Sequence, residues 1–289
     1  QITVANELGV SVFQINDFLL KQTDRNTLYR ELREDHQNMI FTTEWKEVTS
    51  DEPRKVLDKD YYQLQSLYLL FTNSEELAEL IYEKINQNSG RCIRVIHAQS
   101  YRKQDEFTYY IEKRDDIQQL FNHLDLPSDQ NVKIIYANRL GFLGLDEFDS
   151  DYIEKQEEKI FDYLLEIVHQ IENNNLNEKC QLWLITHQSK AVFEDDRMIN
   201  PVPGTLWGFA KSMSLEYAEI WGGIIDIDVE NIDATVLPAL KRMENQEGED
   251  HFAVRQNGQT FVQRLVKQKK QPSLEEYGLP YPNRNENES

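Results

Sequence analysis

Apolar and polar residues alternate along the chain in blocks that predict a repeated series of strands and helices. A continuous apolar run, typical of a strand buried on both faces, occurs at residues 67–71, and further strands are predicted at residues 93–96, 107–111, 132–137 and 182–185. Between them, apolar residues recur with helical spacing in three stripes: Leu77, Leu80, Ile81 and Ile85; Ile117, Leu120, Phe121 and Leu124; and Ile153, Ile160, Phe161, Leu164, Val168 and Ile171. Strands that alternate with helices predict a mostly parallel, doubly wound α/β sheet with helices on both faces.

The second half of the chain continues this series. Residues 200–228 contain a Pro- and Gly-rich loop, then a helical stripe, then a strand that carries Ile224, Ile225 and Ile227. The helical stripe consists of Leu206, Trp207, Ala210, Met213 and Tyr217. A last helix is predicted around Val236 and Leu240, despite Pro238. Two short strands, 252–254 and 261–262, flank Asn257-Gly258, which predicts a C-terminal β-hairpin with a type I′ turn.

The two ends of the chain differ from the middle. In residues 1–36, Leu8, Val12, Ile15, Phe18 and Leu19 predict an amphipathic helix, and Leu28 and Leu32 predict a second one. This segment is interpreted as a helical linker or as a docking or dimerisation element. Residues 40–47 predict a strand, and residues 267–289, polar and rich in proline, predict a flexible linker or tail. The predicted domains are therefore 1–36, 37–266 and 267–289.

Composition and charge exclude several classes of function. The formal net charge is −20 and the pI about 4.7, so nucleic acid and anionic membranes are disfavoured as partners. Both cysteines, Cys92 and Cys180, lie in apolar runs, which argues against a disulfide framework and favours a reducing cytoplasm. The chain contains no apolar run of the roughly 20 residues that a membrane span requires.

Three ordered segments carry a resemblance to a known family. Residues 206–216, L-W-G-F-A-K-S-M-S-L-E, are followed by W-G-G-I-I-D-I-D at 221–228. The strand 180–186 precedes them, and Glu249-Asp250…Ala253…Arg255, ending at Arg264-Leu265, follows. Together they resemble the non-catalytic structural half of the ketoreductase domain in modular polyketide synthases, despite departures at His187 and Tyr217-Ala218. The Asn-, Gln- and Lys-rich composition favours a bacterial synthase that uses a free-standing acyltransferase.

The resemblance implies a function without chemistry of its own. In this family the ketoreductase is a pair of Rossmann-like halves, and the N-terminal half, a truncated Rossmann-like sheet, has lost cofactor binding and supports the catalytic half. The catalytic half reduces the β-keto group of a carrier-bound chain with NADPH. The resemblance therefore implies no catalytic, cofactor-binding or metal-binding residues in this chain, and NADPH bound only by the partner half. The implied partners are that catalytic half and, through residues 1–36, an upstream synthase subunit.

The residues themselves support this expectation. The first strand-to-helix turn, Thr72-Asn73-Ser74-Glu75-Glu76, has no glycine, and its two carboxylates oppose a pyrophosphate. Asn73 with Glu76 indicates a capping box there. Gly141-Phe142-Leu143-Gly144 is interpreted as a loop. Tyr82 and Asn86 have the Tyr-x-x-x-Asn spacing of reductases, but they lie on the first helix and are interpreted as coincidental. The histidines show no metal-ligand spacing.

Asp226 and Asp228 leave two interpretations open. Both end a predicted strand and alternation places them on one face, so they either bind neighbouring loop N–H groups or form the site of a free-standing enzyme. The leading hypothesis is a non-catalytic scaffold for the catalytic half of a ketoreductase. The alternative is an interaction module that joins synthase subunits through residues 1–36.

Overall fold

The computed structural model describes most of the chain between residues 2 and 267. The described residues are 2–6, 8–15, 41–48, 63–127, 130–138, 150–193, 196, 202–228, 232–245 and 248–267. They divide into two compact units, one made of residues 1–44 and 265–289 and the other of residues 45–264. The second unit contains every segment that carries the family resemblance, except for its last residue, Leu265.

The predicted strands and helices of the α/β series are present. The strands are β1 (Ile2–Ala5), β2 (Ser11–Ile15), β3 (Phe41–Glu47), β4 (Leu67–Thr72), β5 (Arg91–His97), β6 (Arg102–Lys103), β7 (Thr108–Ile111), β8 (Val132–Tyr136), β9 (Cys180–His187), β10 (Trp221–Ile227), β11 (His251–Val254) and β12 (Thr260–Lys267). The helices are α1 (Glu75–Gln87), α2 (Arg114–His123), α3 (Ser150–Asn173), α4 (Val202–Glu216) and α5 (Ile232–Glu244).

The main sheet has the strand order of a doubly wound fold. Its order is β3-β12-β11-β10-β9-β8-β4-β5-β7-β6, and the strands from β11 to β7 are parallel to their neighbours. Strands β12 and β6 pair antiparallel to β11 and β7. The predicted Rossmann-like class is therefore confirmed.

Helices cover both faces of the sheet, as predicted. All six residues of β4 are buried, and successive side chains enter opposite cores because a strand alternates its faces. Leu69 and Phe71 pack with α2, α3 and α4, whereas Tyr68 and Leu70 pack with α1 and α5. Cys92 and Cys180 are buried free thiols, and burial raises the pKa of each to about 12.

The helix predicted from Leu8 onward is wrong for residues 8–15. Strands β1 and β2 form an antiparallel hairpin instead. The Asn6 side-chain oxygen accepts hydrogen bonds from the N–H groups of Leu8 (3.0 Å) and Val10 (2.9 Å), and Gly9 adopts φ +77°, so the chain turns where the helix should continue. Residues 18, 19, 28 and 32, on which the helical predictions also rest, lie outside the described residues.

Two predicted details of turns are also wrong. The N-cap of α1 is Ser74, whose hydroxyl accepts from Leu77 N at 3.2 Å, rather than Asn73. The β11–β12 hairpin is confirmed, but its connection is a 3-10 turn at Gln256–Gly258 rather than a two-residue type I′ turn. Pro238 of α5 lies against this turn, so close that a Cβ on Gly258 would be 2.9 Å from its Cγ.

The paired glycines at the start of β10 are required by a buried tryptophan. A Cβ added to Gly222 would lie 2.5 Å from Cδ1 of Trp183, a side chain of the neighbouring strand β9 that is fully buried. Gly223 has φ +149°, and a Cβ there would lie 2.7 Å from the carbonyl oxygen of Asp250. Both positions therefore exclude any side chain, because the backbone approaches its neighbours too closely.

Replacement of Gly222 tests this packing. Gly222→Ala is expected to destabilise the protein by about 1–3 kcal/mol or more, because the methyl group overlaps a side chain that cannot move. Gly208→Ala is the matched control, since nothing lies within 4 Å of its added Cβ on α4. This control is expected to stabilise the helix by about 0.5–1 kcal/mol. Urea unfolding of both variants gives the comparison, and equal effects would contradict the packing argument.

Candidate functional site

The crevice at the carboxyl ends of β4 and β8 is where a doubly wound sheet binds a nucleotide. The strand order reverses direction there, so the loops that follow β4 and β8 diverge. In the turn after β4, Ser74 N donates to the Thr72 hydroxyl at 3.2 Å, and Leu77 N donates to the Ser74 hydroxyl at 3.2 Å. These N–H groups are therefore already bonded within the turn.

This turn differs from the turns that bind a dinucleotide. A pyrophosphate binds a helix N-terminus through free backbone N–H groups and a close glycine backbone. Here the turn has side chains at every position, and Glu75 and Glu76 place two carboxylates in the first turn of α1. Their charge repels a phosphate at the position where the helix dipole would otherwise attract it.

Aromatic side chains fill the same end of the sheet beside this turn. His97, at the end of β5, packs edge-to-face on Tyr163 of α3 with ring centroids 4.5 Å apart and faces Tyr136 at 6.4 Å. Asn138 donates to the Tyr136 hydroxyl at 2.7 Å. Burial raises the pKa of Tyr136 and raises that of Tyr163 to about 12. Burial, helped by Lys159, lowers the pKa of His97 to about 4, so this cluster is neutral at pH 7.

The residues with the Tyr–Asn and Tyr–Lys spacings of reductases lie in different structural settings. On α1, the Tyr82 ring is covered by the Arg94 guanidinium at 4.2 Å. Tyr109 and Lys113 have the Tyr-x-x-x-Lys spacing, and no prediction from the sequence uses them. Tyr109 is a buried residue of β7 and Lys113 is the N-cap of α2, so the two are not one turn apart on a helix.

Asp226 lies at the centre of a buried polar cluster at the ends of β9, β10 and β11. We call this cluster the Asp226 network; it consists of Asp226, Arg255, Thr186, Ser189 and Trp207. One carboxylate oxygen of Asp226 accepts from the Thr186 hydroxyl (2.6 Å), the Ser189 hydroxyl (2.7 Å) and Ser189 N (2.9 Å). The other accepts from the Arg255 guanidinium at 2.8 Å.

Arg255 completes the Asp226 network from the hairpin side. Its remaining N–H groups donate to the carbonyl oxygens of Asp226 (3.1 Å) and Lys190 (2.7 Å) and to the Asp196 carboxylate (3.4 Å). The Trp207 indole N–H donates to the Ser189 hydroxyl at 2.9 Å. Asp226 is fully buried and Arg255 is 3% exposed. The arrangement binds the β9 loop, α4 and β11 to β10, which favours the hydrogen-bonding interpretation of Asp226 over the catalytic one.

Asp228 and Asp250 also bind neighbouring groups. Gln188 donates to Asp228 at 3.4 Å. Asp250 accepts from the Trp221 indole N–H at 3.0 Å and contacts His251 Nδ1 at 2.7 Å, and the His251 hydrogen bond lowers the pKa of Asp250. Thus the acidic and basic residues of the resemblance motifs stabilise contacts between strands. The spacing of the motifs could identify these acidic and basic residues from the sequence. Their hydrogen-bond partners could not be identified, because they depend on the register of strands that are distant in sequence.

Other kinds of site are not found in the described part of the chain. Across residues 2–267, with the gaps given above, no group of three or more His, Cys, Asp or Glu side chains could hold a metal ion. Within those same ranges, no helix is both long and apolar enough to cross a membrane.

The buried Arg255 is expected to matter far more than a surface arginine on the same hairpin. Arg255→Met should destabilise the protein by about 3–5 kcal/mol, because it leaves the buried Asp226 carboxylate without its cation. The matched control is Arg264→Met, which removes a half-exposed guanidinium 2.6 Å from Glu249. That loss should be below about 1 kcal/mol. Urea unfolding measures both, and similar losses would show that the Asp226 network contributes no more than a surface ion pair.

The free energy of unfolding is expected to decrease as the pH is lowered, because His97 is neutral in the folded protein. Its pKa is about 4 in the folded protein and near 6.5 when unfolded, so the unfolded state binds more protons between these values. Stability due to neutral His97 is therefore present above about pH 6.5 and decreases as the pH falls, by about 2 kcal/mol at about pH 5. Unfolding free energies at both pH values should show this decrease in the native chain and a smaller one in His97→Gln.

Comparison with known proteins relates the chain to polyketide synthases. No model of a known protein family matches it. A phenolphthiocerol/phthiocerol polyketide synthase protein of Mycobacterium tuberculosis is 37% identical over 86 residues, which is 29% of this chain and 6% of the synthase. The pikromycin polyketide synthase component PikAII of Streptomyces venezuelae is 33% identical over 86 residues, 30% of this chain and 2% of that protein. The chain thus spans a small part of these relatives.

Solved structures with the same fold are ketoreductases. The first ketoreductase of the tylosin synthase has a TM-score of 0.55 at 16% identity, covering 81% of this chain and 42% of that one. A C2-type ketoreductase from a modular polyketide synthase has a TM-score of 0.57 at 16% identity, covering 81% and 44%. A keto acid-selecting NRPS module with adenylation and ketoreductase domains gives 0.64 at 14% identity, covering 86% and 21%. The chain is therefore related in sequence to polyketide synthases and shares the fold of their ketoreductase domains.

Proposed function

We propose that this chain is the non-catalytic structural half of a polyketide synthase ketoreductase. It stabilises a catalytic half that binds NADPH and reduces a carrier-bound β-keto intermediate in the bacterial cytoplasm. One observation carries the proposal: the sheet keeps its seven parallel strands, but the turn after β4 is acidic and the N–H groups of Ser74 and Leu77 are already bonded within it. A complete fold without the cofactor turn supports a structural role.

The positions of the motif residues support the same role. Asp226, Arg255 and Trp207 are buried rather than open to a substrate. Arg255 donates to Asp226, and Trp207 donates to Ser189. The matched ketoreductase structures are more than twice as long as the part that this chain covers, which leaves room in them for a second half of similar size.

The outer surface of α3 and α4 is the part of the chain that this partner would cover. We call it the α3–α4 face. Leu215 is 84% exposed and Leu165 is 41% exposed, and a Cβ on Gly204 or Gly208 would meet nothing within 4 Å. The two exposed leucines add apolar surface among charged neighbours, and the open space at both glycines would allow a partner helix to approach closely. The α3–α4 face therefore fits a packed partner better than it fits water.

A second candidate function rests on the N-terminal hairpin. The side chains of Leu8, Val10 and Val12 are exposed around β1 and β2. A two-stranded hairpin is marginally stable by itself in water, so a partner that covers it would stabilise it. Residues 1–36 would then join this chain to an upstream synthase subunit. Deletion of residues 1–36 should abolish that association, and unchanged affinity would reject this function.

The purified chain is expected not to bind NADPH. Calorimetric titration up to about 1 mM, the upper end of ordinary substrate affinities, should give no saturable heat. The catalytic half of the same synthase, measured alone and with this chain, is the positive control. Its NADPH-dependent reduction of a β-keto substrate should increase when this chain is added. Saturable binding by this chain alone, or equal activity of the catalytic half in both cases, would overturn the scaffold proposal.

Substitutions on the α3–α4 face are expected to weaken binding of the catalytic half. Leu215→Asp should reduce the affinity by about tenfold or more, because a charge replaces apolar contact area. Phe107→Asp is the matched control, since Phe107 is also exposed but lies in the β6–β7 turn. Sedimentation or calorimetry gives both affinities. Equal affinities for the two variants would place the binding surface elsewhere.

A further inference from the structure

The segment from β5 to the start of α2 has the opposite charge to the rest of the chain. The protein carries 31 Lys and Arg against 51 Asp and Glu. Residues 91–114 nevertheless contain six basic and three acidic side chains: Arg91, Arg94, Arg102, Lys103, Lys113 and Arg114, with Asp105, Glu106 and Glu112. This local net charge of +3 lies in a protein of net charge −20, so the segment attracts partners that the remaining surface repels.

Not all of these cations are available to a partner. Arg94 is paired with Glu79 and donates to the Thr108 hydroxyl at 2.9 Å. Arg114 is paired with Glu166 at 2.6 Å. In contrast, no carboxylate among the described residues lies within salt-bridge distance of Arg102 or Lys103. Arg102 and Lys103 of β6 are therefore cations without a salt bridge, although Asp105 and Glu106 follow them in the turn and Glu106 acts electrostatically on Lys103.

Tyrosine rings hold the two β6 cations on opposite faces of the sheet. The Arg102 guanidinium lies 3.9 Å from the Tyr110 ring centroid, and Lys103 Nζ lies 5.2 Å from that of Tyr109. Tyr109 and Tyr110 belong to the two different cores. A hydrogen bond with the Tyr109 hydroxyl also raises the pKa of Lys103, so this side chain stays charged at neutral pH. Cation–π contacts orient a charge without neutralising it.

Strand β6 is also the last strand of the sheet. Among the described strands its single neighbour is β7, so its other edge has unpaired backbone groups. Phe107, 39% exposed in the β6–β7 turn, adds apolar surface beside this edge. The turn is fixed, because Phe107 N donates to Asp105 at 2.8 Å and Arg94 N donates to the Phe107 carbonyl at 2.7 Å.

We propose that the β6 edge, made of Arg102, Lys103 and Phe107, binds an extended, carboxylate-rich segment of a partner protein. Such a segment would pair with the backbone of β6, and its alternating side chains would reach both faces of the sheet. Carboxylates on the two faces would meet Arg102 and Lys103, and apolar residues would contact Phe107. This interaction does not depend on the scaffold function.

A labelled peptide tests the proposal on the full chain. The probe is a fluorescein-labelled peptide of about ten residues with alternating Glu and Val, long enough to pair as a strand. At about 50 mM salt the native chain should bind it saturably, and about 500 mM salt should weaken the binding strongly. Arg102→Glu/Lys103→Glu should weaken the binding by about tenfold or more. A Lys–Val peptide of the same length should not bind at this edge.

The control variant carries the same change of charge elsewhere. Arg91→Glu/Lys155→Glu alters two exposed cations at the start of β5 and on α3. It should change the peptide affinity by less than about twofold. Equal losses in both double variants, or no binding by the native chain, would overturn the proposal. Self-association of the native chain that Arg102→Glu/Lys103→Glu abolishes would also overturn it, since the occupant would then be a second copy.

Discussion

The buried ion pair between Asp226 and Arg255 is the constraint on which the second half of the fold depends. A carboxylate with no exposed surface is unstable in a protein interior unless cations and N–H groups replace its water. Asp226 receives the Arg255 guanidinium and three hydrogen bonds from Thr186 and Ser189. The hairpin strand β11 must therefore lie beside β10, and the loop after β9 must close over both.

The same requirement positions α4. The Trp207 indole N–H donates to the Ser189 hydroxyl, which in turn donates to Asp226, so the second turn of α4 is held at the end of β9. Below this layer, Trp183 occupies the space that Gly222 leaves open. The polar and apolar motifs thus determine one register for β9, β10 and β11. This accounts for motifs of the resemblance in purely structural terms.

Periodicity predicted the α/β series because each of its strands and helices is long enough to repeat its pattern and is buried on a defined face. It failed at residues 8–15, since Leu8, Val12 and Ile15 fit a helical stripe, although Asn6 and Gly9 form a tight turn there. The lack of glycine in the turn after β4 could be predicted, because the turn consists of consecutive residues in the sequence. Arg255 as the partner of Asp226 was not, because 29 residues separate them and only the β10–β11 register brings them together.

The distribution of charge gives the chain two surfaces of different character. The α3–α4 face exposes Leu165 and Leu215, so contact with a partner there would be stabilised by removal of apolar surface from water. At the β6 edge, tyrosine rings hold Arg102 and Lys103 without neutralising them, so binding there would depend strongly on salt. Strand β6 ends the sheet, whereas α4 connects β9 and β10 in its middle, so the two surfaces lie on different parts of the sheet. Two separate contact surfaces would fit the scaffold role proposed above, in which the chain would position other proteins.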